Sequence, residues 1–212
     1  TTGNAVDFGD LSNSIRDGGG CSSSTRGVFM GGITPSYLNV LDLITIASQG
    51  NATDYGDLTY SARGNTGVSN SVSGFSCGGD TSPAVVNTIN KFVIATGGTA
   101  TDFGDLAESA KNTASNSASH GGLNDGYQGT RPLPFNEAGG DLCINMGGDR
   151  DSGDDTYVGS FKISSSGNEQ DFGDTTNKAL TAGSLGNKTR AVQGGGYNPS
   201  NTNVIQYYTF AT

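Results

Sequence analysis

The residues with the clearest chemical potential are paired aspartates that enclose an aromatic residue and a glycine. This Asp-Phe/Tyr-Gly-Asp motif occurs four times, at Asp7–Asp10, Asp54–Asp57, Asp102–Asp105 and Asp171–Asp174. In protein kinases an Asp-Phe-Gly aspartate holds magnesium, but this chain has neither the lysine strand nor the His-Arg-Asp loop of a kinase. A motif repeated once per unit predicts a structural role instead. The aromatic side chain is expected to pack between units, and the aspartates to accept backbone N–H bonds at turns.

A second group of carboxylates is concentrated in one short stretch, at Asp149, Asp151, Asp154 and Asp155. Calcium binds six to eight oxygen ligands that converge on one point. The stretch lacks the Asp-x-Asn-x-Asp-Gly spacing of a calcium loop, and the chain has no array of calcium-binding nonapeptides. We therefore predict a solvated acidic loop without a cofactor, with calcium at these four residues as the alternative.

Nucleophilic and histidine-based chemistry has few residues available. His120 is the only histidine, and no Gly-x-Ser-x-Gly nucleophile turn accompanies it. The three cysteines, Cys21, Cys77 and Cys143, form no Cys-x-x-Cys pair. The chain has only one histidine that could join them as a ligand, which argues against a zinc site. No two of the 20 acidic residues stand out as a pair for glycoside hydrolysis. We predict that the protein is not an enzyme and that its cysteines are buried small residues.

Composition narrows the classes of fold and partner. Of the 212 residues only 33% are apolar and 35 are glycine, a balance that favours many short strands joined by turns. The net charge of −9, with scattered Lys and Arg, predicts no nucleic-acid partner and no anionic membrane partner. No apolar run approaches the ~20 residues of a membrane span. Because the chain starts at Thr1 without a signal peptide, we expect a removed segment or a longer precursor.

The spacing of the four motifs describes a circle. Their first aspartates are 47, 48 and 69 residues apart, and the interval from Asp171 through the C-terminus and on to Asp7 is 48 residues. The sequence therefore predicts one domain over residues 1–212 with four repeats of about 47–48 residues. One repeat carries an insertion within about residues 112–141.

Each repeat contains the same order of strand signals. A Gly-Gly pair is followed by an apolar run that is rich in β-branched and aromatic residues, which predicts a strand. These apolar runs cover residues 39–46, 87–94, 156–163 and 203–210. Together with the motif and shorter segments, each repeat has three or four strands and no helix, as expected for a propeller blade.

The two ends of the chain complement each other. The C-terminal apolar run has no motif after it, and Gly3–Phe8 matches Gly50–Tyr55, the segment that follows the run in the next repeat. We therefore predict an all-β, four-bladed propeller closed by N- and C-terminal strands that share one blade, which leaves no exposed sheet edge. A larger ring shared by two chains is the alternative.

The insertion is the one segment that breaks the repeat. Glycine and proline interrupt it at short intervals, which predicts a loop. It carries Tyr127, Arg131 and Phe135. Because loops on rigid scaffolds often carry binding residues, these three are the predicted ligand-binding side chains.

The repeats resemble those of kelch-type β-propellers. The resemblance rests on the Gly-Gly pairs, the apolar runs and an Arg ahead of a Gly-Gly, although the chain lacks the Trp of the usual kelch pattern. The sequence of residues 50–58 is also similar to repeats in structural and tail-associated proteins of marine bacteriophages, and so is Ser23–Phe29, which precedes a Gly-Gly pair. This resemblance implies a component of a virion or of an extracellular adhesive assembly.

Two functions follow as expectations. The first is a non-enzymatic structural or adhesive module in a virion or extracellular assembly, which associates with copies of itself or with other proteins of that assembly. The second is a carbohydrate-binding module that uses one propeller face and the inserted loop to bind surface glycans. Repetition favours the first, because a binding site would break the repeat with unusual polar residues at one place.

Overall fold

The computed structural model describes residues 3–118, 140–153, 156–187, 189–197 and 199–210. Within these ranges the protein consists of strands and turns and contains no helix. Four small antiparallel sheets are arranged as a four-bladed β-propeller, which confirms the predicted fold class. None of the described residues belongs to a helix long and apolar enough to cross a membrane.

Blades 1 and 2 are four-stranded sheets in which the predicted apolar run is the third strand. The strands of blade 1 are β1 (Gly19–Ser22), β2 (Arg26–Met30), β5 (Val40–Thr45) and β6 (Thr53–Asp57), and a small hairpin of β3 (Ile33–Thr34) and β4 (Ser36–Tyr37) joins β2 to β5. The strands of blade 2 are β7 (Thr66–Ser69), β8 (Ser73–Asp80), β9 (Val85–Val93) and β10 (Thr101–Asp105). In both blades the outermost strand carries an Asp-aromatic-Gly-Asp motif.

Blades 3 and 4 follow the same plan with one difference. The strands of blade 3 are β12 (Ala114–Ser117), β13 (Leu142–Met146), β15 (Tyr157–Lys162) and β16 (Gln170–Asp174), beside a short pair of β11 (Ala110–Lys111) and β14 (Asp149–Arg150). Blade 4 consists of β17 (Gly183–Gly186), β18 (Arg190–Gly194) and β19 (Ile205–Thr209). Blade 4 therefore has three strands where the other blades have four.

The first strand of every blade faces the centre of the molecule. Strand β1 lies alongside β7, β7 alongside β12, and β12 alongside β17. These four strands line a central cavity of about 320 Å³. Strands β17 and β1 line the same cavity but do not lie alongside each other in this way. The blades thus surround a common axis with their first strands innermost.

A glycine pair follows the second strand of blades 1, 3 and 4 and lies within the second strand of blade 2, where the pairing with β9 shifts register. In all four pairs both residues have positive φ, for example 63° and 99° at Gly31 and Gly32. Side chains with a Cβ rarely adopt this conformation, so the Gly-Gly signal marks a turn that other residues would strain. The turn directs the chain from the second strand toward the apolar run.

The core is divided into three apolar clusters, and each joins two consecutive blades. Blades 1 and 2 share the cluster of Val28, Met30, Leu41, Leu58, Phe92, Ile94 and Ala100. Blades 2 and 3 share Val68, Phe75, Cys77, Ile89, Phe103, Leu106, Ala110, Cys143, Phe161 and Ile163. Blades 3 and 4 share Ala114, Ile144, Met146, Val158 and Ala191, with Phe172 and Tyr208 packed against them. Burial of apolar surface therefore holds the blades together pairwise.

Among the described residues, the N- and C-terminal segments do not share a blade, as the predicted closure of the ring would require. The first motif, residues 7–10, lies outside any strand, and blade 4 has no fourth strand among the described residues. Instead the carbonyl oxygens of Phe8 and Asp10 accept the N–H groups of Gly50 and Ala52 at 2.9 and 2.8 Å. The N-terminal segment is thus bound to blade 1. If the same segment also paired with β19, blade 4 would have to lie next to blade 1.

We expect Phe75→Ala to lower the free energy of unfolding by about 3–5 kcal/mol. Phe75 is fully buried, and its ring centroid lies 5.0 Å from that of Phe103 and 5.6 Å from that of Phe161, so truncation removes contacts on both sides of the contact between blades 2 and 3. Urea unfolding measures the change. Phe29→Ala, at a residue of the same type that is 39% exposed, is the control and should cost less than half as much.

Candidate functional site

The structure assigns the second, third and fourth motifs to the contacts between consecutive blades, and the first motif to the matching contact of the N-terminal segment with blade 1. We call all four contacts seams. In each strand-forming motif the aromatic residue is a β-bulge. In blade 1, Leu41 pairs with Gly56 and Asp42 with Asp54, so that Tyr55 has no partner of its own. Phe103 and Phe172 occupy the same bulge in blades 2 and 3. A bulge redirects its side chain and frees its backbone groups from the sheet.

The backbone groups that the bulge frees bind the next blade. The Tyr55 carbonyl accepts the N–H of Gly98 at 2.9 Å, and the Phe103 carbonyl accepts that of Gly167 at 3.3 Å. Two residues further on, the Asp57 carbonyl accepts the N–H of Ala100 at 2.7 Å. The first motif binds Gly50 and Ala52 in the same way. The first, second and third motifs thus each make a two-point backbone connection to the segment that precedes the next motif.

The motif glycine allows this close approach. A Cβ at Gly56 would lie 2.2 Å from the carbonyl oxygen of Gly98, and a Cβ at Gly104 would lie 2.4 Å from that of Gly167. Backbone atoms cannot move away as a flexible side chain can. The predicted role of this glycine, to let a neighbouring chain approach, is confirmed in these two seams.

The first aspartate of every motif shapes the turn at the bulge. Its Oδ1 accepts the N–H of the glycine two residues later at 2.9–3.3 Å, in all four motifs. This is the short-range bond that aspartate favours at turns, and it confirms the predicted role for the first aspartate. For the second aspartate the structure shows a different contact: the backbone N–H groups of Asp10 and Asp105 donate to Asn51 and Asn168 of the next blade.

A further set of polar side chains completes the seams, and the sequence analysis missed it. In three of the four motifs, the residue after the Asp-aromatic-Gly-Asp-x segment donates both its N–H and its hydroxyl to one side chain on the third strand of the next blade. These pairs are Ser12 with Asp42 at 3.1 and 2.8 Å, Thr59 with Asn90 at 3.1 and 2.7 Å, and Thr176 with Gln206 at 2.9 and 2.8 Å. The available signal was a polar residue at the fourth position of three apolar runs.

The remaining seam, between blades 2 and 3, uses a substitute. The fourth position of its apolar run is Gly159, which has no side chain to accept a bond. The carboxylate of Glu169 occupies that space, since a Cβ at Gly159 would lie 1.9 Å from its Cδ. The N–H of Ala107 donates to Glu169 at 3.1 Å. A residue ten positions away thus performs the role of Asp42 and Asn90.

Glu169 is the most unusual ionisable group in the described part of the chain. It is buried, accepts a bond from Asn145 at 2.9 Å, and lies 3.9 Å from the buried guanidinium of Arg150. Burial raises the pKa of its carboxyl above the ordinary value, and the bonds from Asn145 and Ala107 together with Arg150 oppose that rise in part. Arg150 is itself stacked 4.5 Å from the ring centre of Tyr157.

Hydroxyl groups around the central cavity also connect neighbouring blades. Ser69 donates to the Ser22 carbonyl at 2.8 Å, and Ser117 donates to the Ser69 carbonyl at 2.7 Å. Ser184 donates to the Ser115 carbonyl at 2.7 Å. The polar lining of the cavity is therefore engaged in holding the first strands side by side.

The sequence-predicted binding residues fall largely outside the description. Tyr127, Arg131 and Phe135 lie outside the described residues, as do Asp154 and Asp155 of the acidic stretch. Asp149 forms an ion pair with Lys111 at 3.4 Å. Among the residues that the structure describes, no three His, Cys, Asp or Glu side chains form a group that could hold a metal ion. Calcium binding at the four aspartates stays a prediction.

The cysteines are buried or half-buried and unpaired. Cys77 and Cys143 are buried in the cluster between blades 2 and 3, as predicted, and Cys21 is half-buried beside the cluster between blades 1 and 2. Burial raises the pKa of the Cys21 thiol to about 12 and that of Cys77 further. A thiol that stays protonated at neutral pH is a poor nucleophile, so these residues act as small apolar side chains.

Comparison with known proteins assigns no family to the chain. No protein-family model matches the chain, and a search of curated proteins finds no match to it. What the fold and seams define is a four-bladed β-propeller whose repeated polar residues connect its blades.

We expect Asn90→Ala to lower the free energy of unfolding by about 1–3 kcal/mol. The Asn90 side chain is fully buried, and its loss leaves two donors of Thr59 without their acceptor at the seam between blades 1 and 2. Urea unfolding again provides the measurement. Asn203→Ala, at an exposed asparagine beside β19, is the control and should change stability by less than about 0.5 kcal/mol. Equal effects of the two variants would contradict this role.

Glu169 predicts a specific pH dependence. Because its folded pKa is raised above the ordinary 4.5, the folded chain keeps the proton at pH values where the unfolded chain has lost it. Stability therefore falls as the pH rises from the ordinary pKa through the folded pKa, and is constant above it. We expect the stability difference between wild type and Glu169→Gln to shift against wild type over that interval. Unfolding curves of the two proteins at several pH values test this, and a stability difference that is the same at every pH would contradict it.

Proposed function

We propose that the protein is a non-enzymatic structural module of a virion or extracellular assembly and that it associates with copies of itself. The observation that carries the proposal is the use made of its repeated polar residues. Motif backbone groups, the first aspartates and the acceptors on the third strands all bind across seams or shape them. A chain that devotes its recurring residues to internal connections is built as a scaffold.

The surface supports the self-association in this proposal. Most soluble monomers leave only scattered apolar side chains exposed. Among the described residues, four large apolar side chains are more than 60% exposed, and all four belong to blade 4 or the N-terminal segment: Val6, Leu185, Ile205 and Tyr207. Apolar surface concentrated at the two ends of the repeat array is typical of an interface between copies.

The family and location are part of the same proposal. The propeller architecture agrees with the resemblance to kelch-type repeats. The sequence of residues 50–58 favours the repeats that resemble those of bacteriophage proteins. On this basis the protein is a kelch-like component of a bacteriophage virion or of another extracellular structure with an adhesive role. Its net charge of −9 agrees with protein partners rather than nucleic acid.

The second candidate function is carbohydrate binding, and one cavity favours it. This cavity of about 320 Å³ lies beside β13, which follows the insertion, and is lined by Ser165, Ser166, Asn168 and Gln170 among others. Its hydroxyl and amide groups can hydrogen-bond to sugar hydroxyls, and Phe161 also belongs to its lining. A glycan array tests this function, and binding that disappears when residues 121–135 are deleted would favour it over the scaffold role.

We expect the purified chain to form species heavier than its 21.5 kDa monomer, with a proportion that rises with concentration. Light scattering after size exclusion, at 0.15 M salt over a hundredfold range of concentration, measures this. A chain that keeps the monomer mass throughout that range, while binding glycans on an array, would contradict the scaffold role and support the second candidate.

A further inference from the structure

Blade 4 exposes residues that are buried or half-buried at the same repeat position in the other blades. The third residue of each apolar run is Leu41, Ile89, Val158 or Ile205. The first three are fully buried, whereas Ile205 is 76% exposed. On the first strand, Leu185 is 68% exposed although Val68 at the equivalent position is 4% exposed. The side of blade 4 that would face a following blade is therefore uncovered.

Blade 1 shows the complementary feature on its opposite side. The eighth residue of each apolar run packs against the preceding blade in blades 2 and 3, where Ile94 is 1% and Ile163 is 3% exposed. The equivalent residue of blade 1, Ile46, is 46% exposed. The two uncovered sides thus carry the two halves of one seam.

A glycine of β16, the outermost strand of blade 3, identifies the strand that blade 4 lacks. In the first three motifs, a Cβ on Gly9, Gly56 or Gly104 would meet a glycine carbonyl of the next blade within 2.4 Å, whereas a Cβ on Gly173 would meet nothing within 4 Å. The partner expected there is a segment that begins with glycine and continues into an Asp-aromatic-Gly-Asp motif. Residues 3–10 have that sequence.

The chain's own residues 3–10 use only one of their two edges. One edge binds Gly50 and Ala52 of blade 1. The other edge corresponds to the one with which β6, β10 and β16 pair with the third strand of their own blade. Val6, on this segment, is 77% exposed.

We propose that residues 3–10 of a second copy add to the exposed edge of β19 and complete blade 4. This inference rests on the self-association in the proposed function and specifies its geometry. The second copy is favoured over the chain's own N-terminus because β17 and β1 of one chain do not lie side by side as the other neighbouring first strands do. The added strand supplies main-chain bonds to β19, and blade 1 of the second copy covers Ile205 and Leu185.

The register of this pairing follows from the other blades. Because Leu43 pairs with Thr53 and Leu41 with Gly56, Tyr207 is expected opposite Val6 of the second copy, and Ile205 opposite its Gly9. Tyr207 is 61% exposed, so the pair brings two exposed apolar side chains together. The contact joins different surfaces of the two copies, and repetition gives a closed ring or a filament.

Two variants that each add one cysteine, Val6→Cys and Tyr207→Cys, test the proposal when they are mixed and oxidised. Directly opposed residues of antiparallel strands have Cα separations that a disulfide can bridge. We expect a disulfide-linked dimer in the mixture and little in either variant alone. The unaltered chain, with its buried and half-buried cysteines, is the control for background oxidation.

The double variant Val6→Cys/Tyr207→Cys distinguishes the source of the strand. A cross-link within single chains, with no dimer in the mixture of single variants, would overturn the proposal in favour of closure by the chain's own N-terminus. Self-association without either cross-link would also overturn it but would leave the proposed scaffold function intact.

A substitution without cysteine chemistry provides a second measurement. Ile205→Glu should weaken association at least about tenfold, because a carboxylate would be buried beside the added strand. Val72→Glu, at a turn of blade 2 where the side chain is 56% exposed, is the matched control and should leave association unchanged. Both residues are exposed in a single chain, so both variants should fold, and equal association of the two would count against the proposal.

Discussion

The structure depends on one local backbone irregularity, the bulge at the aromatic residue of each Asp-aromatic-Gly-Asp motif that forms a strand. A regular strand would engage every carbonyl in its own sheet or leave it to solvent. The bulge removes Tyr55 and Phe103 from that pattern and lets their carbonyls bind the next blade, while their side chains enter the apolar cluster of the seam. Hydrogen bonding and apolar burial therefore act at the same residue, and the aspartate before it fixes the local turn.

This arrangement explains how a chain with few apolar residues forms a propeller. Only 33% of the residues are apolar, but they are concentrated in three clusters, each located where two blades meet. Each blade is a thin sheet with little core of its own, and it gains its core from the neighbour. Seams rather than blades are thus the units of stability, as in other repeat architectures.

Much of this organisation was accessible from the sequence because it repeats. The period of the motifs predicted four blades, and the β-branched runs predicted the third strand of each blade, from Val40–Thr45 to Ile205–Thr209. The packing role of the motif aromatic was also predicted. The acceptors Asp42 and Asn90 were visible as polar residues in apolar runs, but their partners lie in another repeat, which a pattern along one chain does not reveal. The role of Glu169 was not accessible, because it depends on a space left by Gly159. The similarity of Gly3–Phe8 to Gly50–Tyr55 identified complementary ends but did not show that residues 3–10 and β19 of one chain are left unpaired.

The exchange between Gly159 and Glu169 has a consequence for how such chains diversify. The repeats have a common outline, which suggests that blades could be duplicated or transplanted like interchangeable cassettes. Blade 3 does not fit that description, since its missing acceptor is supplied by a carboxylate that in turn requires Asn145 and Arg150. A recombination event with one end between residues 159 and 169 would bring either two acceptors into one space or none. Exchange of blades is therefore permitted only at breakpoints that keep this group of residues on one fragment.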